Sequence, residues 1–121
     1  MALTLKISAT INDTTNKVVH GQSSVDVTTA ADFSYGEVKA IGTTEESIAL
    51  PADVTGAGSG YVYIKNMDAT NYVQVGTATT VYWGRLKAGE HMVVALDNAI
   101  TSLFLKANTA VCNVRVAGFS R

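Results

Sequence analysis

Groups able to do acid–base, nucleophilic or metal chemistry are few in this chain of 121 residues: His20, His91, Cys112 and ten carboxylates scattered from Asp13 to Asp97. Two neighbouring pairs, Glu45-Glu46 and Glu90-His91, invite a catalytic reading. In an extended chain adjacent side chains point to opposite faces, so neither pair makes a dyad that passes one proton. Glu45-Glu46 reads as part of a solvated loop, and Glu90 as the residue that closes the turn Lys87-Ala88-Gly89. Gly56-Ala57-Gly58-Ser59-Gly60 has the glycines of a phosphate cradle, which also needs a helix N-terminus or a Lys-Ser/Thr tail; the strand-like Tyr61-Val62-Tyr63 follows instead. It is not a nucleophile elbow either, because Ala57 stands two places before Ser59. Cys112 is the single cysteine, so no intrachain disulfide can form, and a zinc site would have to recruit the distant His20 or His91; a small buried apolar side chain is the simpler reading. No catalytic residue, metal ligand or cofactor is assigned, and the chain is expected not to be an enzyme.

Aromatic residues are the other chemically informative group. Tyr61, Tyr63, Tyr72, Tyr82 and Trp83 crowd into a short span, where a sheet surface could stack them against bases or sugars. Only Lys65, Arg85 and Lys87 interleave with them, the net charge is −1, and no basic run supplies phosphate neutralisation, so nucleic acid is not an expected partner. If Val62, Ile64, Val73 and Val75 face a core, then Tyr61, Tyr63 and Tyr72 lie on the opposite side. There they are covered by a second layer or form a protein contact. Tyr82 and Trp83 are the candidates for a sugar-stacking platform.

The elements that must position these residues read as strands. Val and Thr each occur fifteen times, Pro once, and Gly and Asn recur at intervals, the composition of short strands joined by tight turns. Leu3, Leu5, Ile7, Ala9 and Ile11 alternate with polar residues, predicting a strand with one wet face. A second strand over Val18–Val27 is expected to be interrupted near His20-Gly21. From Thr28 to Glu46 the pattern weakens. Tyr61–Asn66 and Asn71–Gly76 flank the polar loop Met67–Thr70 and are expected to pair as a hairpin, with Asp68 and Thr70 bonding backbone amides. Further strands are predicted at Thr80–Trp83, His91–Leu96, Ser102–Lys106 and Val111–Val116. About eight strands at spacings of roughly 8–12 residues indicate an all-β antiparallel sandwich. A jelly roll is the leading topology and an immunoglobulin-like sandwich the alternative. One domain over residues 1–121 is expected, with residues 1–47 as an arm or partner-contacting segment. Met1-Ala2-Leu3-Thr4-Leu5-Lys6 lacks the pattern of a signal peptide, and no apolar stretch approaches the roughly 18 residues of a membrane span; synthesis in a cytoplasm and no membrane partner are expected.

The segments Tyr61–Gly76, Leu86-Lys87-Ala88-Gly89-Glu90 and Leu103–Val114 together resemble small virion proteins of tailed bacteriophages. The resemblance spans about the C-terminal half and implies an all-β subunit present in many copies. Its implied role is decoration or cementing of the head by contact with the major capsid protein or other virion proteins. The alternatives are a tail or neck component and a carbohydrate-binding spike or fibre module. Localisation would be the virion, assembled in the host bacterium, and a homo-oligomer, a trimer by analogy, is implied. Leu3, Leu5 and Ile7 of the first strand, with Tyr61, Tyr63 and Tyr72, are the candidate protein-contact residues. The first strand is suited to adding onto a neighbouring sheet edge.

Overall fold

The computed structural model describes residues 4–28, 35–52, 54, 60–97 and 99–119. The chain is all-β and divides into two compact units, Met1–Asp32 and Phe33–Arg121. The boundary thus falls near residue 32, and residues 35–47 belong to the second unit rather than to an arm.

The first unit is a two-stranded antiparallel hairpin of β1 (Thr4–Asp13) and β2 (Val18–Thr28). Alternation sets its register: Leu5 pairs with Val27 and Ile7 with Val25, while Lys6 pairs with Asp26 and makes an exposed ion pair at 3.6 Å. Asp13 builds the turn, its carboxylate accepting the amides of Thr15 and Asn16 at 3.0 Å each, and Lys17 takes a left-handed conformation at φ 58°. The break expected near His20-Gly21 is a bulge within one continuous strand. Ile11 pairs with Gly21 and Asn12 with Val19, so His20 is the extra residue.

The second unit contains β3 (Tyr35–Ile41), β4 (Glu46–Ala49), β5 (Tyr61–Asn66), β6 (Val73–Gly76), β7 (Gly84–Leu86), β8 (His91–Ala95), β9 (Ser102–Ala107) and β10 (Cys112–Phe119). They form two four-stranded antiparallel sheets, β3-β10-β5-β8 and β4-β9-β6-β7. The pairings nest: β3 with β10, β4 with β9, β5 with β8, β6 with β7. Successive nested pairs fall in alternate sheets, the wrapping of a jelly roll, and the immunoglobulin-like alternative is set aside because its strand order differs. The inward residues Val62, Ile64, Val73, Val75, Leu103, Leu105, Cys112, Val114 and Val116 are fully buried and form the core between the sheets. Each such aliphatic side chain contributes about 1.5–3 kcal/mol of transfer free energy.

Three expectations are corrected. Tyr61–Gly76 is not a hairpin: β5 lies in the first sheet and β6 in the second, so the loop between them crosses the sandwich. Thr80–Trp83 is a turn carrying an isolated Ala78–Val81 bridge, and the strand follows at Gly84–Leu86. The weakly patterned stretch before Glu46 contains β3.

The crossing is held by Asn66, a polar residue with no exposed surface. Its main chain stays with the first sheet, the amide donating to Glu90 O at 2.9 Å and the carbonyl accepting from Gly89 N at 3.0 Å. Its side chain reaches the second, Nδ2 donating to Leu86 O at 3.1 Å and to Asn71 O at 2.8 Å, while Oδ1 accepts the Asp68 amide at 3.0 Å. Asp68 in turn accepts the amides of Asn71 at 2.7 Å and Thr70 at 3.0 Å, which hold its carboxyl below the ordinary value. Replacing Asn66 by Ala removes three hydrogen bonds worth about 1 kcal/mol each and strands two carbonyls and an amide. Urea unfolding of Asn66→Ala should show roughly 3 kcal/mol lost with an unchanged m-value. Asn66→Asp, which turns an acceptor toward the two carbonyls, should lose at least as much at neutral pH; wild-type stability in both variants would refute this role.

Candidate functional site

The aromatic residues singled out in the sequence occupy the outer faces of two different sheets. On the first sheet, Tyr61, Tyr63 and Lys65 alternate with the buried Val62, Ile64 and Asn66. Cross-strand register sets Val38, Arg115, Lys65 and His91 in one row, and Gly36, Ala117, Tyr63 and Val93 in the next. Tyr63 packs its ring 5.8 Å from that of His91, tilted by 34°. Val38 and Val93 are close to half-exposed, so this face presents apolar surface beside a basic row. Tyr61 and Tyr63 are themselves half-buried.

Tyr72 belongs instead to the second sheet, one residue before β6. Its amide donates to Asn108 Oδ1 at 3.1 Å and its carbonyl accepts Asn108 N at 3.2 Å, which fixes its position at the end of β9. Arg85 of β7 pairs in register with Gln74, and its guanidinium lies 4.1 Å from the centre of the Tyr72 ring. Trp83 is 50% exposed, with its indole N–H donating to Thr77 Oγ1 at 3.3 Å. Gln74, Tyr82, Trp83, Gly84 and Arg85 line a shallow, open depression of about 240 Å³.

One side of this depression is shaped by the segment 77–82, which folds back on β6. Gly76 is what allows it: a Cβ there would stand 2.0 Å from Val81 O. The segment also holds Thr80 in the left-handed region at φ 57°, a conformation β-branched residues avoid. Glu45 supplies the restraint. Its Oε2 accepts the Thr80 amide at 2.8 Å and the Tyr82 hydroxyl, and its Oε1 accepts Thr79 Oγ1 at 2.8 Å. The reading of Glu45-Glu46 as a solvated loop is therefore corrected. Glu45 clamps a distant loop, and Glu46 opens β4 opposite Leu105, with Oε2 buried and unpaired among the described residues. Glu90 closes its turn as expected: Oε2 accepts Lys87 N at 2.8 Å, and Gly89 adopts φ 77°.

Of the first-strand candidates, Leu3 lies outside the described residues. Leu5 is described by its backbone pairing with Val27, and Ile7 is half-buried within the hairpin unit. Cys112 is buried, which with the Asp68 charge pushes its thiol up. Among the described residues no three His, Cys, Asp or Glu side chains are placed to hold a metal ion. Gln74 was not singled out from the sequence, while Arg85 entered only as a basic residue interleaved with the aromatics and Glu45 only as half of the Glu45-Glu46 pair. Trp83 and Arg85 share parity opposite the apolar Leu86, a signal that marks a common face, but nothing local announces the pairing of Arg85 with Tyr72 or of Glu45 with Tyr82. No protein-family model matches the chain, and no curated protein or solved structure matches it.

The clamp has a defined pH window. Hydrogen bonds from Tyr82, Thr79 and the Thr80 amide hold the Glu45 carboxyl below its ordinary 4.5, so its contribution is complete above that value and is lost on acidification below it. The Tyr82 phenol is pushed up to about 12, by the hydrogen bond to Glu45, by burial and by the carboxylate charge. Its contribution is complete below the ordinary 10.0 and is lost as pH rises through about 12. Trp83 fluorescence should therefore stay constant between these limits and change below pH 4.5. In Glu45→Gln the acid change should vanish and the phenolate absorbance of Tyr82 should titrate closer to 10.0; an unaltered Tyr82 titration would contradict the clamp.

Proposed function

We propose that this chain is a virion structural protein of a tailed bacteriophage that decorates and cements the head, working through protein–protein contacts and carrying no catalytic step. The observation behind this reading is the hairpin unit. Two strands alone are marginal in water, yet this hairpin leaves Ile11 68%, Val19 54% and Val18 45% exposed. Among the described residues it is a sheet of two strands, with one ladder edge of each strand lacking a partner strand, the arrangement that accepts strands from another chain. A jelly-roll body agrees with the reading, since that architecture recurs in viral capsid domains, although it recurs in lectins as well. The resemblance of the C-terminal half to phage virion proteins points the same way. The partner is the major capsid protein, and the subunit itself is a homo-oligomer, a trimer if it sits on capsid three-fold positions.

Quantitative mass spectrometry of purified particles should find the chain at a copy number tied to the capsid lattice. A copy number of a single ring would move it to the neck or tail, and absence from particles would refute the reading. Ile11→Asp and Val19→Asp, at exposed positions, should leave the thermal midpoint within about 1 °C while lowering particle occupancy about ten-fold or more. Unchanged occupancy would remove the hairpin from the contact.

A further inference from the structure

We propose that the depression on the outer face of the second sheet is a binding site for an acidic saccharide, with Trp83 as the stacking surface and Arg85 as the carboxylate receptor. The inference does not depend on the virion reading. Trp83 offers a half-exposed aromatic face for the C–H side of a sugar ring, and its N–H bond to Thr77 fixes the plane of the indole. A bulky aromatic left this open, beside polar groups rather than in the core, is the form a stacking platform takes.

Arg85 supplies the charge selectivity. Its guanidinium carries five donors and no acceptor, a planar fork that matches a carboxylate. Stacking on Tyr72 at 4.1 Å holds that fork on one face, so less freedom is lost when a ligand binds. No carboxylate pairs with Arg85 among the described residues. Glu45, the acid that anchors the neighbouring segment, has both oxygens taken by Thr79, Thr80 and Tyr82. Gln74, opposite Arg85 in register, adds an amide that can both donate to and accept from ring hydroxyls. A cavity of about 240 Å³, open to solvent, suits one sugar ring of a longer chain rather than an enclosed ligand.

The test is titration of the purified full chain with uronic-acid-containing oligosaccharides and with neutral oligosaccharides of the same length, followed by two-dimensional NMR. The acidic series should bind and shift the Trp83 indole N–H signal. Trp83→Ala should abolish binding, and Arg85→Ala should weaken it about ten-fold or more. Arg85→Lys, which keeps the charge and loses the fork, should also bind more weakly than wild type, and about 1 M salt should reduce acidic binding. Thermal unfolding of each variant establishes that it is folded; Trp83 and Arg85 are both exposed, so their midpoints should match wild type. The proposal is overturned by equal binding of the neutral series, by binding that survives Trp83→Ala, by shifts confined to the Lys65 and Arg115 face, or by no binding at millimolar ligand.

Discussion

A jelly roll sends the chain from one sheet to the other at nearly every connection, and in this protein the crossing between β5 and β6 hangs on the buried amide of Asn66. Its main chain is held by the turn at Gly89 and Glu90 beside the first sheet, while its side chain satisfies the carbonyl that ends β7 and the one that precedes β6. An apolar residue would leave those groups unpaired in a dry environment, and a carboxylate would oppose them. Asparagine is one of the few side chains with both donors and an acceptor at this reach. Because Asp68 and Asn71 are organised around it, this one residue sets where Tyr72 enters the second sheet, and so where Arg85 finds its stacking partner.

The second sheet shows how a surface acquires a fixed shape without covalent staples. Close approach over Gly76 and a left-handed Thr80 each carry a cost, and the Glu45 carboxylate offsets it by accepting three hydrogen bonds from the same segment. The result is a firm border to the depression that holds Trp83, with the ring positioned by neighbours rather than by its own burial. Side chains held in place this way have less conformational entropy left to lose when a ligand meets the surface.

The hairpin unit follows the opposite logic. Its register is well specified by alternation and by the Asp13 turn, yet its apolar residues include several that its own fold leaves in water. One unit closes a core between its two sheets, and the other is a two-stranded sheet whose exposed apolar residues its own pairing does not cover.

How much of this was legible in the sequence depends on what a period of two can encode. Alternation assigned Val62, Ile64, Val73 and Val75 to the core and Tyr61, Tyr63 and Tyr72 to the outside, and local turn chemistry placed Asp68 and Glu90 correctly, because both signals involve residues adjacent in sequence. β3 escaped notice for a physical reason: Glu37 and Lys39 sit at the positions paired with the buried Val116 and Val114, where a central strand would carry apolar residues, and only an edge strand can release such charges toward solvent. The choice of sheet for β5 and β6, and the meetings of Glu45 with Tyr82 and of Arg85 with Tyr72, belong to the tertiary structure alone. Backbone ladders are blind to side-chain identity, so the sequence by itself determined the strands and their inner faces, while partnership across tens of residues was decided only when the two sheets closed over one core.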